Sequence, residues 1–125
     1  MSEKKTLSGT ISFLTSEAFK YHQKGELKEA KNIYEQILEH KPKHFDALQL
    51  LGILYGQINE KDKAIKLLES ALQIKPDDAA TLNNYGVILT EVNRTNDSYE
   101  ALDKATNIKP DYAEAHYNLG ATLHE

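Results

Sequence analysis

The sequence predicts an all-α fold: a solenoid of stacked helix-turn-helix hairpins, three repeats plus one further helix. Pro42, Pro76 and Pro110 are all the prolines in the chain, and each lies 34 residues after the last, a period that marks a repeat architecture. Apolar and small residues recur inside each period at helical spacing. Ala, Leu, Lys, Glu and Gln are abundant while Gly numbers only 6, so local propensity favours helix along most of the chain.

Seven helices are predicted, near 11–24, 27–40, 45–58, 62–74, 79–92, 96–108 and 113–124, with residues 1–10 as a tail or an extension of the first helix. In the third, Leu48, Leu51, Gly52 and Tyr55 fall at i, i+3, i+4 and i+7; in the fourth, Ala64, Ile65, Leu68, Ala71 and Leu72 make a similar stripe. The columns Leu14/Leu48/Leu82, Tyr21/Tyr55/Leu89/Leu123, Ala30/Ala64/Ser98 and Tyr34/Leu68/Leu102 keep the 34-residue step. Gly25, Asn59 and Asn93 stand between paired helices. These residue types tolerate the left-handed conformation that ends a helix, so the column reads as a short hairpin turn with antiparallel arms.

Lys-Pro ends each second helix. Asp77 and Asp111 follow as candidate caps of the next helix, and Asp111 with Glu114 has the spacing of a capping box. A mid-helix glycine costs about 1 kcal/mol against alanine. Its recurrence at Gly52, Gly86 and Gly120, with Ala18 in the same column, therefore implies close approach of the partner helix, the one that carries Ala64 in the middle repeat. The expected units are 11–44 (atypical), 45–78 and 79–112, then 113–125 as the first helix of a fourth repeat or a terminal cap. Leu119 and Leu123 leave that last helix with an apolar face, so the array is read as an excerpt of a longer one, prone to form a homodimer through residues 113–125.

A formal net charge of −4 argues against nucleic-acid or anionic-membrane partners and points to proteins instead. The absence of Cys fits a reducing compartment, and the N-terminus lacks the apolar core of a secretory signal, so a soluble, cytoplasmic protein is expected.

The Leu-x-x-Leu-Gly-x-x-Tyr run of residues 48–55, followed by Ala64, Leu68, Ala71 and Pro76, resembles the tetratricopeptide repeat (TPR) family, and the resemblance covers roughly residues 11–125. The first repeat departs from the pattern: Glu17 stands where Leu51 stands, and Ile37 where Ala71 stands. The resemblance implies a right-handed superhelix whose first helices line a concave, protein-binding groove. On that alignment the groove residues are Phe19 in the first repeat, Gln49, Leu50 and Ile53 in the second, Asn83, Asn84 and Val87 in the third, and Tyr117 and Asn118 in the last helix, with Ser12, Thr15, Ser16 and Gln57 beside them.

Asn84 and Asn118 stand 34 apart, similar to the asparagine ladder of O-linked N-acetylglucosamine transferase-type arrays. A side-chain amide can pair with both the N–H and the C=O of an extended peptide. The aligned positions hold Asp46, Glu91 and Glu114 but no Lys or Arg, which disfavours a carboxylate clamp and suits a neutral or basic peptide.

No catalytic constellation emerges, so the chain is not read as an enzyme, and no cofactor is expected. His40 and His44 are separated by helix-breaking Pro42, so no metal site is expected, and the histidines are expected to be solvent-exposed. The sequons at Asn93 and Asn96 read as turn and cap residues. The leading function is a protein-interaction scaffold that binds an extended segment. The alternatives are the substrate-docking part of a larger enzyme such as a glycosyltransferase, or a self-associating assembly scaffold.

Overall fold

A computed structural model of the protein describes residues 2–123, with side chains from Gly9 onward. Seven helices follow one another: α1 (Ser2–Gln23), α2 (Leu27–His40), α3 (Phe45–Gln57), α4 (Lys61–Ile74), α5 (Ala79–Glu91), α6 (Thr95–Ile108) and α7 (Ala113–Leu123). No strand occurs among the described residues. The α1–α2, α3–α4 and α5–α6 pairs pack as hairpins, and neighbouring hairpins meet through α2–α3, α4–α5 and α6–α7. Residues 2–10 belong to α1.

The hairpin turns have one chemistry. Gly25, Asn59 and Asn93 have φ of 80°, 66° and 64°, and no other described residue has positive φ. In each turn the next N–H returns to a carbonyl five residues back: Glu26 to Tyr21 (2.9 Å), Glu60 to Tyr55 (2.8 Å) and Arg94 to Leu89 (2.8 Å). With the three-residue bonds Gly25 to His22, Asn59 to Gly56 and Asn93 to Thr90, this is the Schellman closure, which satisfies carbonyls that a helix end leaves open.

The other junctions repeat as closely. Lys41, Lys75 and Lys109 cap the second helices with φ of −138°, −129° and −127°, because the following proline excludes the helical region for the residue before it. The next helix is capped by His44 in α3, whose Nδ1 accepts from the Ala47 N–H (3.1 Å), and by Asp78 in α5, whose carboxylate accepts from the Thr81 N–H (3.0 Å). Asp78 rather than Asp77 is therefore the cap of α5; Asp77 instead pairs with Lys104 at 3.4 Å. The capping box expected at Asp111 is replaced by another bond, since the Glu114 carboxylate accepts from Asn83 on α5 (3.2 Å).

The glycine column sets the spacing inside each hairpin. A Cβ built at Gly52 would lie 2.9 Å from Leu68 Cγ and Cδ2, and one at Gly86 only 2.6 Å from Leu102 Cγ. The close neighbour is thus a leucine on the partner helix, one turn beyond the Ala64 column, and both leucines are fully buried. Ser98 occupies that column in the third hairpin and donates from Oγ to the Gly86 carbonyl (2.7 Å). Around these contacts runs a core that includes Ala18, Tyr34, Ile37, Leu51, Leu54, Tyr55 and Leu89, continued beyond α5 by Leu82, Ala105 and Ala115.

Gly86→Leu is therefore expected to cost more than the roughly 1–3 kcal/mol of ordinary overpacking, because the new side chain overlaps Leu102. Glu91→Leu, at an exposed site on the same helix, should change stability little. Thermal melts of the two variants test this; equal losses would refute the socket account.

Candidate functional site

Successive first helices lie side by side, and polar side chains tie them together. Gln49 on α3 donates from Nε2 to Thr81 Oγ1 (2.8 Å) and Asp78 Oδ2 (3.3 Å) at the start of α5. One period later, Asn83 on α5 donates to Glu114 (3.2 Å) and accepts from Asn118 Nδ2 (3.0 Å) on α7. Near the other ends of these helices, His22 on α1 bridges Tyr34 Oη (3.1 Å) and Gln57 Oε1 (2.7 Å), and Thr90 meets Thr122 (3.1 Å). Burial pushes the Tyr34 hydroxyl up to about 12. It therefore stays protonated through the physiological range and can donate to His22 Nδ1, leaving Nε2–H for Gln57.

These bonds sort the predicted groove residues. Asn83 is fully buried with both ends of its amide engaged, since a buried amide left unpaired is costly. Gln49 is half-buried and committed across the seam. Asn118 uses an amide hydrogen on Asn83, so the paired Asn84/Asn118 rungs are unequal: Asn84 is half-buried and its side chain makes no hydrogen bond among the described residues. Leu50, Ile53 and Val87 are half-buried, while Phe19 and Tyr117 are 42% and 77% exposed.

Between α1 and α3 the seam is tied by His22 and Gln57 at one end and open around Thr15. Thr15 occupies the column of Gln49 and Asn83, but its short side chain bonds back to the Ile11 carbonyl (2.7 Å) and reaches nothing on α3. A cleft of about 730 Å³ results, walled by Ile11, Ser12, Thr15, Ser16 and Phe19 of α1 and by Asp46 and Leu50 of α3. The end of α2 and the α2–α3 connection add His40, Lys41 and His44 to its lining. Lys41 brings a cation to a surface expected to have none; alignment of first helices misses it because it comes from the connection. Burial holds the His44 imidazole below its usual range, against the opposing pull of Asp46, which keeps Nδ1 unprotonated for its capping bond.

Two histidines expected in solvent, His22 and His44, are half-buried and bonded, whereas His40 and His116 are exposed; His124 lies outside the described residues. On the opposite surface a cleft of about 620 Å³ lies between α2 and α4, floored by Leu38, Leu51, Tyr55 and Leu67. There Tyr55 already donates to Glu35 (3.3 Å), and Lys63 stacks over its ring (5.4 Å). No described helix is long and apolar enough to cross a membrane.

A family model described as a tetratricopeptide repeat matches residues 21–83, and a second, described as a TPR repeat, matches residues 86–125. Among solved structures, a Thermobaculum terrenum O-GlcNAc transferase mutant superposes with a TM-score of 0.89 at 29% identity, over 94% of this chain and 22% of that one. A MamA protein superposes with a TM-score of 0.85 at 23% identity, over 94% and 64%. The first TPR of Spaghetti (RPAP3), bound to an HSP90 peptide, gives a TM-score of 0.87 at 14% identity, over 91% and 90%. The last two likenesses carry the fold alone. The chain spans less than two thirds of the transferase and MamA chains. Nothing matches among curated proteins.

Asn83→Ala is expected to destabilise the α5–α7 contact by about 1–3 kcal/mol, because Glu114 and Asn118 lose their partner. Asn84→Ala should leave the melting temperature nearly unchanged. Chemical denaturation of both variants measures the difference, and a neutral Asn83→Ala would remove the seam from the account.

Proposed function

Because the chain belongs to the tetratricopeptide repeat family, we propose that it is a non-catalytic protein-interaction module that holds an extended segment of its partner along the first-helix surface. The open α1–α3 cleft carries this reading. It is the larger of the two clefts described above, and it sets the exposed Phe19 and half-buried Leu50 next to the polar Ser12 and Ser16. Ile53, Asn84, Val87 and Tyr117 extend the surface along the same columns of later helices. The seam bonds at Gln49 and Asn83 hold those helices at fixed spacing, so a ligand meets a preformed surface.

A randomised peptide library displayed on phage tests the reading. Selected peptides, synthesised with a fluorophore, should bind saturably and lose at least tenfold affinity to Leu50→Asp or Val87→Asp, with the fold retained by circular dichroism. Failure to select any binder, or equal affinity in both variants, would contradict the proposal.

Two specific observations favour further readings of the same chain. The likeness to part of an O-GlcNAc transferase favours a docking region belonging to a larger enzyme. The last helix favours self-association. A Cβ at Gly120 would meet nothing within 4 Å, whereas the equivalent Gly52 and Gly86 each seat a leucine, and Leu123 beside it is 62% exposed. In a two-fold pair, Leu123 of each copy can face Gly120 of the other. Light scattering over a hundredfold concentration range should give dimer for the parent and monomer for Leu119→Lys/Leu123→Lys. A monomeric parent, or an associating double variant, would overturn this reading.

A further inference from the structure

We infer that the α1–α3 cleft selects a peptide in which a bulky apolar side chain stands beside an acidic residue: the apolar group seats between Phe19 and Leu50, and the carboxylate turns toward Lys41. This rests on the peptide-binding reading above and assigns the end of the surface where recognition is concentrated. It departs from the neutral or basic ligand that the first helices alone suggest.

Comparison of the repeats supplies the argument. At the next two junctions the lysines equivalent to Lys41 each lie over an aromatic ring, by two different routes: Lys75 lies 4.3 Å from the centroid of Phe45 on the preceding first helix, and Lys109 lies 5.0 Å from that of Tyr112, whose column holds His44 at the first junction. Ile11 takes the Phe45 column in the first repeat and offers no ring. Lys41 lines the cleft and makes no ion pair among the described residues.

The helix cap changes in the same direction. Asp78 supplies a carboxylate at the start of α5, where Gln49 and Thr81 bond to it. At the start of α3 the equivalent residue is His44, kept neutral by burial. With Nδ1 occupied by the Ala47 N–H, its Nε2–H is left as a donor. The open junction thus has a neutral cap where α5 has a carboxylate, and a lysine with no ring or acid against it among the described residues.

Asp46 is the single acid in the cleft lining. It sits in the first turn of α3, where the helix dipole offsets part of its charge. A carboxylate approaching from the α2–α3 connection meets Lys41 and the exposed His40, and charge complementarity of this kind fixes the register of a bound segment. Phe19 and Leu50 supply the apolar contact, since removal of a side chain from water is the larger favourable term.

The phage-selected peptides provide the test. Enriched sequences should share a Leu, Ile, Phe or Met next to Asp or Glu. Phe19→Ala and Lys41→Glu, both at exposed sites and expected to melt as the parent does, should each weaken binding at least tenfold. A peptide with its acidic residue changed to Lys should bind the Lys41→Glu variant better than the parent. Peptides that lose affinity to Val87→Asp but not to Phe19→Ala or Lys41→Glu would overturn this assignment and leave the groove reading standing. Absence of any selected binder would overturn both.

Discussion

The second and third hairpins depend on one contact, a leucine seated on a glycine. Leu68 on Gly52 and Leu102 on Gly86 bring two helices so close that even a methyl group would collide. The mid-helix glycine costs helix propensity, and the buried leucine offsets it by about 1.5–3 kcal/mol of apolar burial. The first hairpin solves the problem differently: Ala18 replaces the glycine and Tyr34 replaces the leucine, and both are fully buried. The tyrosine hydroxyl then needs a partner, which His22 provides and in turn passes to Gln57 on the next hairpin.

Between hairpins the controlling residues are polar. Gln49 and Asn83 cross from one first helix to the next and close the space between them; Thr15 cannot, and the space at the first junction stays open. A one-residue difference in side-chain reach converts a structural seam into a surface available to a ligand. The same junction carries the neutral His44 cap, where α5 has Asp78, and a Lys41 without the ring contact that Lys75 and Lys109 make.

The fold was legible in the sequence because its signals are local and repeated. The proline column fixes where second helices end, and the Gly25/Asn59/Asn93 column fixes the turns, since each needs a backbone conformation that few residues adopt. The cap of α5 was misread by one residue because Asp77 and Asp78 are adjacent and sequence alone does not say which lies at the helix start. The site was less legible. Alignment marks Asn83 and Asn84 equally as first-helix polar residues, yet one helical step separates a buried seam from an accessible face. Lys41 and His44 escaped attention as site residues because they belong to a connection, and a search restricted to first helices does not include it.

The account stands on the open first junction as the place where a partner is held. A crystal structure of the chain with its tightest selected peptide tests that claim most directly. The account predicts an extended peptide between α1 and α3, with an apolar side chain against Phe19 and Leu50 and a carboxylate within hydrogen-bond reach of Lys41. A peptide seated instead in the opposite cleft, over Leu38 and Leu67 between α2 and α4, would contradict it.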